Sequence, residues 1–494
     1  MLKTLKKNKS EKVNVASNTA FYLIYQIILF VVPLVIMPYL TRVFTESTLG
    51  EYSFSYSMAY YFVLGANLGI SMYGQREIAS NKNNKEALTR KFWSLFYVHS
   101  VFSILSFIAF IIFFTVSKQI GLYVFIIPYV ISALFDVTWF FYGLENFKLV
   151  TIVNASLALL KMCLVFVLVK NNNSLWVYQL ISFGSVLLSQ LCIFLFAVKV
   201  VGKPVKVLPH ECFHHLKPIL YFALAAIALT LYTYLDRTLL GIMVHDSKKS
   251  VAYYECADKV VAVPRMIITT LGTVLYPKMC AYAANKDKDK IRGYTLFSID
   301  WTTFLSLGSI FGLIAMAVPF SMLYYGDSYI VSGYAMMMMA PLIFIISLGS
   351  ICRTQYILPQ KKDKIFLIAI SLNAVVNLSL NVALIPRMGI YGVVLSSIVS
   401  ELVGLLFQLY HCRKEFPFRY LLKSTIIHLS ASFLMYVILL GVSKFINPDS
   451  WVRILLLFVI GILVYLLSII LITSASGEDT TITEFIKRRK IKHE

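Results

Sequence analysis

Six charged side chains crowd one apolar stretch. Between Tyr232 and Met279 the chain carries Asp236, Arg237, Glu255, Asp258, Lys259 and Arg265. Around them the residues read as two consecutive membrane-spanning helices joined by a short polar turn. A charge at the middle of a spanning helix costs about 2.5–3.5 kcal/mol on insertion scales, so it faces a protein cavity or a partner. Each helical residue turns the chain by about 100°, which puts Glu255, Asp258, Lys259, Ala262 and Arg265 on one broad face. Val260, Val261, Val263, Ile267 and Ile268 occupy the other. Such a set can bind anions: an arginine fork takes two phosphate oxygens at once, and lysine acts as a compact point charge. Asp236, Glu255 and Asp258, with Asp136, are the carboxylates that could couple an ion. A structural reading competes. Glu255 and Lys259 stand at i, i+4 with the acid first, the better orientation for a local ion pair, and Asp236 and Arg237 fit the headgroup level.

Other constellations are weaker. Asn373, Asn377 and Asn381 form an i, i+4, i+8 stripe, for which interhelical hydrogen bonding is the first explanation. Asn154, Ala158 and Lys161 share a face, and the isolated Lys161 needs a cavity or a carboxylate, Asp136 being one candidate. His210-Glu211-Cys212-Phe213-His214-His215 resembles a metal cluster, yet a metal site takes fixed ligands from more than one segment. We read it as a solvated interfacial loop and expect no metal and no cofactor. Met336 to Met339 encircle their helix and act as pliable filler. No P-loop, dinucleotide-binding, zinc-protease or serine-hydrolase motif occurs in a usable context, so ATP is not expected to supply energy through this chain.

The elements that must position these residues follow from composition. Of 494 residues 59% are hydrophobic and 14% charged, with mean hydropathy +0.76. A soluble globule has about 45–50% apolar and about 25% charged residues, so this is a polytopic all-α membrane protein. The net charge of +21 is explained by the positive-inside rule without nucleic acid. Seven cysteines lie mostly inside apolar segments and read as small buried hydrophobes. A span needs about 20 mainly apolar residues. That ruler gives about fourteen, near 17–40, 50–72, 92–116, 120–142, 149–169, 175–199, 218–243, 251–280, 295–318, 329–352, 364–386, 389–411, 421–443 and 452–473. With the N-terminus inside, inner segments receive 33 of the 45 basic residues and outer segments eight. Both termini are therefore expected inside. The apolar run after the basic N-terminus is too long for a signal peptide and reads as a retained span, and the basic tail from Lys487 to Lys492 suits anionic headgroups.

A faint repeat relates Tyr39-Leu40-Thr41-Arg42 to Tyr234-Leu235-Asp236-Arg237, six spans apart. It divides the chain into a lobe 1–208 of spans 1–6, a lobe 209–412 of spans 7–12, and an appendage 413–494 of two spans and the tail. Pro33, Pro38, Pro128, Pro264 and Pro341 fall inside spans, where proline kinks a helix.

Four stretches then resemble one family: Leu49-Gly-Glu-Tyr-Ser-Phe with the run from Asn67 to Ala79; Phe135 to Phe147; Leu235-Asp-Arg-Thr-Leu-Leu-Gly with the charged run after it; and Asn381 to Gly392. Together they resemble the Wzx-type polysaccharide flippases of the multidrug/oligosaccharidyl-lipid/polysaccharide exporter superfamily, over nearly the whole chain. The resemblance implies two six-helix lobes around a central cavity, alternating access, and an undecaprenyl-diphosphate-linked sugar repeat unit as cargo for capsule, exopolysaccharide or a related polymer. It implies a transporter rather than an enzyme, in the bacterial cytoplasmic membrane, working with the bilayer and with a polysaccharide polymerase and glycosyltransferases. Arg42, Lys161, Arg237, Lys259 and Arg265 are expected to line the cavity and hold the anionic cargo. Rival expectations are a lipid II or teichoic-acid-type precursor flippase, a drug/cation exporter of the same fold, and a membrane polysaccharide polymerase. A drug exporter would favour a carboxylate-lined pocket, and a polymerase needs a sizeable outer loop.

Overall fold

A computed structural model describes residues 28–29, 31–81, 84–116, 123–445 and 451–476. The basic N-terminus, the first part of the span at 17–40 and the basic tail lie outside the described residues. All regular structure among those described is helical. The helices are α1 (Val31–Val43), α2 (Glu46–Asn67), α3 (Ile70–Asn81), α4 (Lys85–Val116), α5 (Ile127–Leu134), α6 (Thr138–Gly143), α7 (Phe147–Leu168), α8 (Leu175–Val201) and α9 (Pro209–Met243). There follow α10 (Ser247–Ala284), α11 (Lys288–Tyr325), α12 (Ile330–Met339), α13 (Pro341–Ile351), α14 (Asp363–Met388), α15 (Ile390–Cys412), α16 (Phe418–Ser443) and α17 (Trp451–Ser476).

Ten stretches among the described residues are long and apolar enough to cross a membrane, and eleven when the bent pair Asp327–Met339 and Pro341–Ile357 is one span. Each falls on a predicted span. The bend of that pair is 41°, and it sits at Pro341. A π-helical turn, Cys352–Ile357, follows it. Of the other three predicted spans, α1 is short, α2 is rich in serine and tyrosine, and α9 is a continuous helix from Pro209.

The contacts group into two compact units, residues 1–234 and 235–494. In the first, an aromatic core joins Phe92 and Trp93 of α4 to Trp139, Phe140 and Phe141 of α6. Two of the motif stretches meet there. A Cβ on Gly143 would stand 2.7 Å from Ile78 Cβ and 2.8 Å from the Gln75 carbonyl, so only glycine lets α6 lie this close to α3. Asp136 belongs to the same corner: its Oδ1 accepts from the Thr138 hydroxyl (2.6 Å) and backbone N–H (3.2 Å), at the start of α6. In the second unit α14 and α15 form a tight hairpin whose turn residue, Gly389, has φ +54°. The C-terminal pair, α16 and α17, packs on α11 through Phe304, Phe311, Ala431, Met435 and Tyr465.

Candidate functional site: a buried charge network on α9 and α10

Asp236 and Arg237 are neighbours on α9, and a helix turns adjacent side chains about 100° apart. They accordingly serve different partners. Arg237 faces α10: its Nε lies 2.6 Å from Glu255 Oε2 and its Nη2 3.0 Å from Asp258 Oδ2. Glu255 Oε1 takes Lys259 Nζ at 2.9 Å, and Asp258 Oδ1 takes Arg265 Nη2 at 3.5 Å. The five form one alternating chain, Lys259–Glu255–Arg237–Asp258–Arg265, of three cations and two carboxylates. Arg237 and Glu255 are the most enclosed, each with 13% of its side chain exposed, while the others keep 26–29%. The i, i+4 pair Glu255–Lys259 read from spacing is present. On the other face Val261 and Ile268 are buried, whereas Ile267 is exposed.

Asp236 faces α14 and α15. It is buried, and its carboxylate accepts from Asn381 Nδ2 (2.7 Å), Ser397 Oγ (2.8 Å) and Tyr254 Oη (2.9 Å). Asn381 Nδ2 also reaches Asn377 Oδ1 at 3.0 Å. Farther along the stripe Asn373 Nδ2 donates to Glu401 Oε2 at 3.2 Å. Asn381 and Asn373 thus make interhelical hydrogen bonds, each to a carboxylate, while Asn377 accepts from Asn381 within α14. Asn373 has room only because α15 carries Gly404 there: a Cβ would fall 1.8 Å from Asn373 Oδ1. Spacing alone could not find Tyr254, Ser397 or Glu401, because their partners lie on other helices.

In the first unit, Arg42 Nη1 donates to the Pro38 carbonyl at 2.6 Å, one turn back. The Lys161 ammonium stands 6.0 Å from the Tyr178 ring centre, at the limit of a cation–π contact. Asp136, the carboxylate considered for Lys161, is held by Thr138 instead. A tyrosine stripe that the sequence reading did not single out, Tyr52, Tyr56 and Tyr60 on α2, meets Tyr178, Tyr129 and Tyr234 at ring separations of 4.1–5.3 Å.

The stretch from His210 to His215 is no solvated loop. It opens α9, and His215 is buried, with Nδ1 2.8 Å from Tyr73 Oη and Nε2 3.1 Å from Ser94 Oγ. Glu211 pairs with the Arg90 guanidinium, its Oε2 3.0 Å from Nε. No cluster of three or more His, Cys, Asp or Glu fit for a metal occurs among the described residues.

Comparison with known proteins follows these lines. Residues 15–283, more than half the chain, match the family model described as polysaccharide biosynthesis protein. A Shigella dysenteriae protein named as an O-antigen transporter is 24% identical over 387 residues, covering 76% of this chain and 94% of that protein. A Haloferax volcanii protein named as a low-salt glycan biosynthesis flippase is 21% identical over 246 residues, 50% of this chain and 51% of that protein. Among solved structures, the lipid II flippase MurJ in an inward closed conformation superposes with TM-score 0.71 at 18% identity, covering 92% of this chain and 100% of that one. An inward-facing multidrug resistance MATE family transporter gives 0.59 at 14%, covering 81% and 95%. At these identities the superpositions establish the fold alone. With its apolar helices, its motif stretches and the family match, the chain is a multi-pass membrane protein that belongs to the polysaccharide biosynthesis protein family, in the Wzx-type branch its motifs resemble.

Proposed function

We propose that this chain is a flippase that carries a lipid-linked oligosaccharide across the cytoplasmic membrane by alternating access. The carrier in this reading is undecaprenyl diphosphate, and the cargo feeds capsule, exopolysaccharide or a related surface polymer through a polymerase, after glycosyltransferases have built it. The observation that carries the reading is the chain Lys259–Glu255–Arg237–Asp258–Arg265. Three cations against two carboxylates leave a formal excess of one positive charge within spanning helices. A diphosphate suits that excess and can compete with Asp258 for the more loosely held Arg265. The relatives named as an O-antigen transporter and a glycan flippase support the same cargo class.

Arg42 and Lys161 form, in this proposal, a separate anion contact within residues 1–234. Asp236 is the coupling carboxylate, because a buried aspartate ringed by amide and hydroxyl groups can exchange a proton or a small cation without dismantling the ion pairs beside it. The lobes 1–208 and 209–412, the appendage 413–494, the fourteen spans and the inside termini belong to the same proposal.

The test is purified full-length protein in liposomes with a fluorescent undecaprenyl-diphosphate oligosaccharide, its leaflet read by quenching from outside. Translocation without ATP is expected, faster than that of fluorescent lipid II in the same vesicles. Faster movement of lipid II would assign the chain to that cargo, and a strict ATP requirement would sink the coupling.

A further inference from the structure

A second buried acid–base group lies away from this network, where the C-terminal pair leans on α11. His428 of α16 is wholly buried. Its Nδ1 lies 2.8 Å from the Ser424 carbonyl, which only accepts, so Nδ1 carries the proton and Nε2 is the open base. Nε2 has no hydrogen-bond partner among the described residues. Across the helix contact stands Asp300 of α11, also wholly buried. Its Oδ1 accepts from Ser424 Oγ and its Oδ2 from Tyr420 Oη, both at 2.6 Å. Ser424 Oγ and Thr303 Oγ1 lie 2.7 Å apart, and each reaches His428 Nδ1, at 3.3 and 3.2 Å. Ser424 Oγ therefore links the carboxylate to the imidazole, and Thr303 Oγ1 touches both Ser424 Oγ and the ring nitrogen.

We propose that Asp300 and His428 form a proton-binding site across α11 and α16. One proton from water forms an N–H bond at Nε2. The resulting imidazolium is offset by the Asp300 carboxylate, to which Ser424 connects it. An idle buried nitrogen costs free energy that a leucine or phenylalanine would not, and what sets His428 apart from the equally buried His99 of α4 is the carboxylate across the helix contact. An ionisable side chain within a membrane bundle is a functional candidate with its partner named, and here the partner is Asp300. Other groups among the described residues also surround His428. From α11 comes Phe304, its ring 5.9 Å away. From α17 comes Tyr465, stacked on Phe304 and donating to its carbonyl at 2.8 Å. On α16 itself are Tyr420 and the half-buried Lys423 beside Ser424. Proton binding there changes the charge where the C-terminal pair meets α11. This gives the pair a part in coupling that is independent of the cargo and of Asp236.

The experiment uses the full chain in lipid nanodiscs with 15N-labelled histidine rings, eight in all. Spectra run from pH 8.5 to 5, and His428→Gln identifies the signal by its loss. That signal is expected to pass from neutral imidazole to imidazolium within the range. Asp300→Asn is expected to demand at least about tenfold more protons for the same change. Ser424→Ala, which keeps both ionisable groups, shifts the transition by less. A His428 ring that stays neutral to pH 5 overturns the proposal, as does one that titrates identically in Asp300→Asn. Should Asp300→Asn fail to fold, the Ser424→Ala, Thr303→Val double variant decides, and an unmoved transition in it overturns the proposal equally.

Discussion

Arg237 and Arg265 are both arginines in one network, yet the geometry gives them different work. Arg237 spans two carboxylates on one helix face and is the more enclosed; Arg265 makes one longer contact, at 3.5 Å. Removing one partner of a buried pair costs about 3–5 kcal/mol, because the other charge is left uncompensated. Arg237→Ala should therefore lower the thermal unfolding midpoint and abolish transport together. Arg237→Lys should recover only part of either, since an ammonium cannot span Glu255 and Asp258 as a fork does. Arg265→Ala should leave the midpoint near that of the parent and still abolish transport, with the exposed Lys286→Ala as a control of equal charge change. The readout is polymer production in a flippase-deficient strain, with membrane levels checked by blot. Normal polymer from well-expressed Arg265→Ala would make this charge structural. The six charges were legible in the sequence because each is conspicuous in an apolar run. The Glu255–Lys259 pair was legible too, but the pairs of Arg237 were not, because it sits on a different helix from Glu255 and Asp258. Asp300 and His428, 128 positions apart, were invisible for the same reason: they stand on different helices.

At the scale of elements, periodicity found nearly every span but misjudged what holds their ends. The stretch His210 to His215 is polar enough to pass for a loop. Tyr73 and Ser94, from α3 and α4, engage both ring nitrogens of His215 and draw it into the protein, and the helix begins there instead. This has a pH consequence, since His215 precedes the predicted span at 218–243. Burial, with a smaller push from Lys91, lowers the His215 imidazole to about 4. A free histidine titrates near 6.5. Between those values the unfolded chain binds a proton that the folded one does not. The stability of this corner is then complete above about pH 6.5 and lost progressively as pH falls towards 4. Amide exchange in residues 209–217 should accelerate over that window beyond its intrinsic pH dependence. His215→Gln, which cannot titrate, should flatten the effect; an equal acceleration in the variant would remove His215 as its cause. The motif glycines show the opposite case. Gly143 was legible as part of a motif, but its reason, the close crossing of α6 over α3, needs the neighbour in place.

For the molecule as a whole, the strongest statement in the sequence concerns orientation, a property of chain and membrane together. A missed span would exchange inside for outside from that point on. The 33 basic residues assigned inside against eight outside would then mix. Among the described residues hydropathy marks eleven of the fourteen predicted spans, while α2 is a weak case because Ser53, Ser55 and Ser57 are buried among tyrosines and lower its apolar content. The predicted alternation of charge has α2 cross all the same, with Arg42 outside and Arg76 inside. Single cysteines test this directly. Asp246→Cys, in the exposed turn between α9 and α10, should react with a membrane-impermeant maleimide added to whole cells, above the background of the seven native thiols. Asn285→Cys, exposed between α10 and α11, should react only after the cells are opened. For α2, Thr45→Cys should label from outside and Asn84→Cys from inside. Labelling of Thr45→Cys and Asn84→Cys from the same side would mean that α2 and α3 together do not cross, and every assignment from α4 onward would have to be inverted.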